Sequence, residues 1–432
     1  MTVIRQKDRD AIIQSLRIGV VPSRGLHHIQ VGRTREIEAF LKDLERIADG
    51  GSTFRLIMGE YGAGKTFFLS LIRSLALEKK LVTVNADLNP NRRLQAARGQ
   101  ARSLYAELMR NLSTRLKPEG GALAGVLEKF IATTINETKE SGADEERALF
   151  KKLEHLTEMA NGYDFSTVVI AHWRGSKQGD DQLKSDALRW LRGEFTTKTE
   201  AKNALGVRNI IDDASFYDQL KLMGRFVRLA GYSGLLVCLD EMVNLYKIQN
   251  PNSRNANYEQ ILQMLNDSMQ GTTEGLGFIL GGTPEFLTDE SRGLYSYEAL
   301  RSRLAENKFI KDNDNLVDFS GAVIPLSSFS QNEFLVLLHN LLNVYAGGVE
   351  ANYLLPEEAL QTFMRHCHNL IGDESFKSPR NTIKEFLDLL AVLDQNPNTS
   401  WEMLLNRVKV TIDSEGVINL DDADYELGGF KL

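Results

Sequence analysis

Eight residues near position 60 have the spacing of a phosphate-binding loop, G-x-x-x-x-G-K-[ST]. They are Gly59, Glu60, Tyr61, Gly62, Ala63, Gly64, Lys65 and Thr66. In such a loop the backbone N–H groups surround phosphate oxygens, the lysine reaches the β- and γ-phosphates, and the threonine hydroxyl binds Mg²⁺. Phe54, Leu56, Ile57 and Met58 form a short apolar run before the loop, and Phe67 opens an apolar helix-like stretch after it. This order predicts that residues 59–67 bind ATP and Mg²⁺, with a chance glycine turn as the alternative.

A second apolar run, residues 235–239, ends in two adjacent carboxylates, Asp240 and Glu241. In a nucleotide-hydrolysing site Asp240 would bind Mg²⁺ and Glu241 would polarise the attacking water. Buried acids at the end of a strand are costly to keep charged without a cation. Together with the glycine loop, the pair predicts a nucleoside triphosphatase. Taken alone, it also fits a strand that ends in solvent.

Other polar residues follow or precede the remaining predicted strands. Residues 277–283 read as a strand that ends at Thr283, a candidate γ-phosphate sensor of the AAA+ type or a turn residue. Arg301 and Arg303 precede the last strand and suit an arginine finger, although residues two apart on a helix cannot both face one phosphate. Arg380 lies in the first turn of a predicted helix, where a lid arginine is expected. A solvated or ion-paired position is the alternative for each arginine.

The adenine base needs an apolar slot beside the glycine loop. Val21, Pro22 and Gly32 belong to an extended linker upstream of an amphipathic helix that begins near Glu36. These three residues are predicted to contact the base, and the alternative is a linker that fills a hydrophobic crevice.

The elements that must position these residues form an α/β pattern. Strands are predicted at 54–58, 82–88, 235–239, 277–283 and 322–326. They indicate an AAA+-type P-loop ATPase core with a five-stranded parallel sheet, a large helical insertion and an all-helical lid at its C-terminal side. Helices are predicted at 98–116, 123–138, 145–160, 182–193 and 215–230 in the insertion, and at 331–345, 356–370, 379–393 and 401–408 in the lid.

The predicted organisation has four parts. Residues 1–50 form an N-terminal linker and adenine-side helix, 51–326 the ATPase core with 89–230 as its insertion, 327–410 the lid, and 411–432 an acidic tail.

Composition limits the choice of function. The 432 residues carry a net charge of −7, so a chain-wide basic field for nucleic acid is excluded. Cys238, Cys367 and the histidines have no zinc-ligand spacing. No signal peptide or membrane-length apolar run is visible, which predicts a cytoplasmic protein without a membrane partner.

One local stretch is basic. Residues 89–117 carry seven cations and one acid, and Arg92, Arg93, Arg98 and Arg102 are candidate contacts to nucleic acid phosphates. Arg98 and Arg102 lie one helical turn apart in the predicted helix. A solvated helix face paired with acids elsewhere is the alternative.

Several segments together resemble the BrxD-type ATP-binding proteins of BREX phage-defence islands, which are AAA+-like P-loop proteins. They are VVPSRGLHHIQVGRTREIEAF (20–40), GEYGAGKT, WLRGE (190–194), LLVCLDE, GGTPEF (281–286) and YEALRSRL (297–304). The resemblance covers residues 10–395 and extends more distantly to the initiator clade of AAA+ proteins. It implies ATP binding and hydrolysis in anti-phage defence, beside a helicase-like partner. Because the acidic residues 411–432 follow the predicted lid, we expect no winged-helix DNA reader of the initiator type there.

Two functional hypotheses follow. In the first, the chain is an oligomerising motor or switch ATPase that acts on DNA with a helicase or other BREX partner. In the second, it is a slowly hydrolysing, nucleotide-dependent scaffold that recruits partner proteins. Glu241 favours hydrolysis, since a pure ATP-binding scaffold would not need it.

Overall fold

A computed structural model describes residues 3–141, 144–305, 307, 309, 318–377 and 379–411. Its strands are β1 (Thr53–Met58), β2 (Val82–Asp87), β3 (Leu235–Asp240), β4 (Leu276–Gly282) and β5 (Val323–Pro325). Its helices are α1 (Gln6–Arg17), α2 (Thr34–Ala48), α3 (Lys65–Glu78), α4 (Gln100–Arg110), α5 (Leu123–Ser141), α6 (Glu145–Thr157), α7 (Gly162–Gln178), α8 (Asp181–Leu191), α9 (Lys198–Leu205), α10 (Phe216–Leu229), α11 (Val243–Tyr246), α12 (Pro251–Met269), α13 (Pro284–Thr288), α14 (Glu298–Leu304), α15 (Gln331–Tyr345), α16 (Glu357–Ile371), α17 (Glu374–Lys377), α18 (Arg380–Gln395) and α19 (Trp401–Leu405).

The five strands form one parallel sheet in the order β2-β3-β4-β1-β5. Every residue of β1, β3 and β4 is buried, which explains why their sequences are mostly apolar, because a parallel sheet is covered on both faces. In the register of β2 with β3, Asp87 lies beside Asp240. The prediction of a five-stranded parallel sheet is therefore confirmed.

The chain divides into two compact units. Within the described residues, the first unit consists of 3–37, 57–72 and 325–411, and the second of 38–56 and 73–324. The predicted acidic segment from residue 412 onward lies outside the described residues, as does Ser378.

In the first unit, α1 shares a hydrophobic core with α15, α16 and α18. Ile4 and Ile12 are buried in that core, and Ile29 and Val31 of the linker join it. The helix α1 was not predicted, since few apolar side chains stand among its polar ones. The N-terminal segment is therefore more than a linker: it packs with the C-terminal helices.

In the second unit, the long segment between β2 and β3 folds into α4–α10. Two of these helices, α7 and α9, were not predicted. Buried residues occur on nearly all sides of α7, so its sequence lacks the polar face that identifies an amphipathic helix. The predicted helix at 98–116 is wrong at both ends, because Gly99 is left-handed with φ 86° and α4 stops at Arg110.

No helix of the described ranges combines the length and apolarity that a membrane crossing requires.

A buried ion pair fixes β1 within the second unit. The Arg55 Nε and Nη2 atoms donate to the two carboxylate oxygens of Asp43 on α2, at 2.6 and 3.0 Å. Both side chains are almost fully buried, at 7% and 3% exposure. Arg55 also donates to the carbonyl oxygen of Gly321, just before β5. Removing either partner would strand a buried charge.

We expect Asp43→Ala to lower the free energy of unfolding by about 3–5 kcal/mol, the usual cost of breaking a buried pair. Glu45→Ala is the matched control, because Glu45 lies on the same helix and its pair with Lys79 is largely exposed. The control should cost no more than about 1 kcal/mol. Urea unfolding of both variants gives the comparison, and equal losses would contradict a role for burial.

Candidate functional site

The predicted phosphate loop joins β1 to α3 in the first unit. Gly62 and Gly64 both have φ 80°, a left-handed conformation that side chains disfavour. A Cβ atom on Gly59 would lie 2.8 Å from the carbonyl oxygen of Leu326, so only glycine fits there. The loop thus has the tight backbone curvature that a phosphate cradle requires, directly before the positive end of α3.

The polar side chains of the loop sit where the helix begins. The Lys65 ammonium donates to the carbonyl oxygens of Gly59 and Glu60, at 2.8 and 2.9 Å. Thr66 is exposed in the first turn of α3. The loop therefore carries a cation and a hydroxyl group at the same end of one helix.

Arg33 of the linker forms hydrogen bonds with the phosphate loop and with the chain after β5. The sequence analysis assigned no role to this residue. Its Nη2 atom donates to the carbonyl oxygens of Ala63, at 2.7 Å, and Ser327, at 3.0 Å. The guanidinium lies 5.9 and 5.5 Å from the ring centroids of Phe68 and Phe329. Burial lowers the pKa of Arg33, and its Nη1 atom is buried without a partner among the described residues. The sequence feature that could have drawn attention to Arg33 is the predicted turn at Gly32 and Arg33.

The predicted adenine-side residues also belong to the first unit. Pro22 is buried and Val21 is half-buried. Gly32 lies against the C-terminal helices, since a Cβ atom there would come 2.5 Å from Glu333 Oε1. Nearby, Ile18 and Val20 are 75% and 49% exposed, unusual values for aliphatic side chains in an otherwise apolar linker.

Arg380 is the C-terminal arginine that the structure brings to the loop. It begins α18, and its Nη1 atom donates to the Tyr61 hydroxyl at 3.2 Å.

The carboxylate pair lies in the second unit, at the end of β3. Asp240 is buried, and its Oδ1 atom accepts from the Glu241 N–H at 2.8 Å. Glu241 is exposed and has φ 60°, a left-handed value that is costly for a glutamate. The Asn244 amide donates to the carbonyl oxygens of Leu88 and Glu241, at 2.9 and 3.2 Å, and so stabilises this turn.

Asp87 adds an acid beside this pair, and the sequence reading gave it no role. Desolvation, followed by the nearby Asp240 carboxylate, raises the pKa of Asp87, while Arg92 opposes the shift. The feature of the sequence that could have identified Asp87 is its position as an acid at the end of a predicted strand, as for Asp240.

Thr283 directly follows β4 in the same unit. Its Oγ1 atom is buried and has no hydrogen-bond partner within the described part of the chain. A buried hydroxyl is costly to leave unpaired, so this one has the character of a group that awaits a ligand or water.

The two candidate finger residues lie on α14 and already have partners. Arg301 pairs with Glu290 at 2.7 Å, and the Arg303 side chain donates to Asn266 Oδ1 and the Ala299 carbonyl oxygen, at 2.9 and 2.8 Å.

The four candidate nucleic-acid contacts do not form one helical face. Arg98 precedes α4, so the predicted one-turn spacing with Arg102 is wrong. Arg92 pairs with Glu107 at 3.1 Å, and Arg102 donates to the carbonyl oxygen of Phe195 at 3.2 Å. Arg93 is half-buried, and Arg98 is exposed.

We expect Arg33→Lys to weaken ATP binding about tenfold, because a lysine cannot reproduce charge-assisted hydrogen bonds worth about 1.5 kcal/mol or more. Arg35→Lys, at an exposed position on α2, is the matched control. Fluorescence titration with a labelled ATP analogue gives both affinities. Equal affinities for the two variants would contradict the role of Arg33 in shaping the loop.

Comparison with known proteins places these residues in one family. The family model for the BREX system ATP-binding protein BrxC/D matches residues 4–409, which include all of the site residues described above. The resemblance inferred from the motifs is therefore confirmed. No curated protein matches the chain.

Proposed function

The chain belongs to the BREX system ATP-binding protein BrxC/D family, and from this premise we propose that it is an AAA+-type ATPase that hydrolyses ATP in phage defence. Membership itself implies ATP binding and a role in that defence. The single observation that carries the proposal is the glycine loop, whose left-handed Gly62 and Gly64 curve the backbone ahead of Lys65 and α3. Such a loop cradles the β- and γ-phosphates.

The proposal assigns Mg²⁺ to two of the predicted residues, Thr66 and Asp240. Thr66, an exposed residue, carries a hydroxyl and Asp240 carries a carboxylate, and both groups are hard oxygen ligands of the kind that Mg²⁺ prefers. When bound, Mg²⁺ neutralises charge that develops on the phosphate oxygens. Lys65 would bind the same phosphates, and the exposed Glu241 would accept a proton from the attacking water.

Thr283 supports a sensing role at the end of β4. A hydroxyl that is buried and unpaired in the described residues could donate to the γ-phosphate or to the attacking water. Arg380 would contact the phosphate from the C-terminal helices, which we propose to be the lid.

A homo-oligomer would give Arg301 or Arg303 a phosphate to contact in a neighbouring subunit. Each arginine would first have to leave its present partner, Glu290 for Arg301 and Asn266 for Arg303. Subunit contact could thereby control turnover.

Action on DNA is proposed through a helicase or other BREX partner rather than through the basic segment alone. Among the four candidate arginines, Arg92 pairs with Glu107 and Arg102 donates to the carbonyl oxygen of Phe195, so these side chains already make bonds within the protein. The helical insertion α4–α10 offers a large surface for such a partner.

We expect Glu241→Gln to reduce ATP turnover about 100-fold or more, the usual contribution of a positioned base. Thr283→Val should reduce turnover roughly tenfold or more while leaving the melting temperature unchanged or slightly raised, because it removes a buried unpaired hydroxyl. Phosphate release and thermal unfolding are measured on the same samples. Full turnover in Glu241→Gln would contradict hydrolysis at this site.

Turnover should rise with protein concentration if a finger completes the site in a neighbouring subunit. Arg301→Ala and Arg303→Ala are matched controls for one another, since only one can face a given phosphate. We expect one of the two variants to lose ATP turnover while it retains ATP binding. Duplex DNA added together with the BREX partner should increase ATP turnover by the wild-type chain. Slow turnover that ignores concentration, DNA and both substitutions would favour the nucleotide-dependent scaffold instead.

A further inference from the structure

Two cationic side chains, those of Lys65 and Arg380, form hydrogen bonds with the first three residues of the phosphate loop. The Lys65 ammonium donates to the carbonyl oxygens of Gly59 and Glu60. The Arg380 Nη1 atom donates to the hydroxyl of the next residue, Tyr61, at 3.2 Å. The Arg380 guanidinium carbon also lies 5.7 Å from the centroid of the Tyr61 ring. The tyrosine thus makes both a hydrogen bond and a cation–π contact with one arginine.

The aliphatic part of the Arg380 side chain lies close to Gly19 in the N-terminal linker. Gly19 has φ 76°, and a Cβ atom there would come 3.2 Å from Arg380 Cδ and 3.5 Å from its Cγ. The aliphatic part of the arginine therefore passes close to a position where a side chain would crowd it. Gly19 and Tyr61 together define where the guanidinium sits, although Arg380 itself is exposed.

We propose that Tyr61 is a positioning residue that holds Arg380 beside the phosphate loop and delivers it to the γ-phosphate of ATP. This inference rests on the proposed function, in which Arg380 contacts that phosphate. A phenol is a neutral acceptor, whereas a phosphate oxygen forms a stronger, charge-assisted bond with arginine. The contact with Tyr61 therefore orients Arg380 before ATP binds, and it is weak enough for the γ-phosphate to replace it.

The consequence is a preference for the triphosphate over the diphosphate. ATP offers Arg380 a γ-phosphate and ADP does not, so the arginine should strengthen ATP binding selectively. Preorganisation by Tyr61 reduces the cost of ordering that long side chain. Loss of Tyr61 should consequently lower the ATP preference without removing the phosphate loop or Lys65.

A double-mutant cycle tests the inference. The measured quantity is the ratio of the affinities for ATPγS and ADP, which requires no turnover. We expect Tyr61→Leu and Arg380→Ala each to lower this ratio roughly tenfold, within the range of couplings between contacting residues, and the double variant to lower it no further. Tyr61→Phe, which retains the ring, should retain part of the ratio. Tyr163→Leu, at an exposed tyrosine of α7, is the matched control and should leave it unchanged.

The outcomes separate this inference from the proposed function. Losses that add in the double variant, or an unchanged ratio in Tyr61→Leu, would overturn the positioning role. ATPγS binding that disappears in Lys65→Ala but persists unchanged in the Tyr61 and Arg380 variants would overturn the inference and leave the ATP site intact. A wild-type chain that binds neither nucleotide would overturn both.

Discussion

The Arg33 guanidinium joins three segments that are distant in the sequence: the linker, the phosphate loop through Ala63, and the chain after β5 through Ser327. Arg33 itself has φ 59°, which L-residues rarely adopt. Such a conformation persists only where surrounding contacts over-determine it, and here the rings of Phe68 and Phe329 flank the charge. This half-buried cation thus ties the phosphate loop, which carries Lys65 and Tyr61, to the linker and to the chain after β5.

In the second unit, one of the strained backbone positions lies at the end of β3. Glu241 takes a left-handed backbone conformation, directly after the buried carboxylate of Asp240. The Asn244 amide and the hydrogen bond from the Leu88 N–H to the Asp240 carbonyl oxygen hold this turn. The neighbouring Asp87 meets Asp240 in register, so two acids end adjacent strands. The sheet therefore presents these carboxylates on a backbone that hydrogen bonds hold in place.

The strands and the glycine loop could be predicted because their signals are local. A parallel strand buried on both faces is mostly apolar, so residues 54–58, in which Arg55 is the exception, and 235–239 stand out. The helix α7 could not be predicted, since it is buried on nearly all sides and lacks an amphipathic pattern. Arg33 was missed because its bond to Ser327 spans 294 positions of the sequence. The partners of Arg92 and Arg102 are likewise set by the tertiary fold, which charge counting along the sequence does not capture.

The central claim is that the loop held by Arg33 binds the phosphates of ATP. An experimental structure of the chain with Mg²⁺ and ATPγS tests it most directly. We expect the β- and γ-phosphates to lie against the backbone N–H groups of Gly62 and Gly64 and the Lys65 ammonium, while Arg33 retains its bond to Ala63. Nucleotide density elsewhere, or a loop that abandons Arg33 when ATPγS binds, would contradict the account.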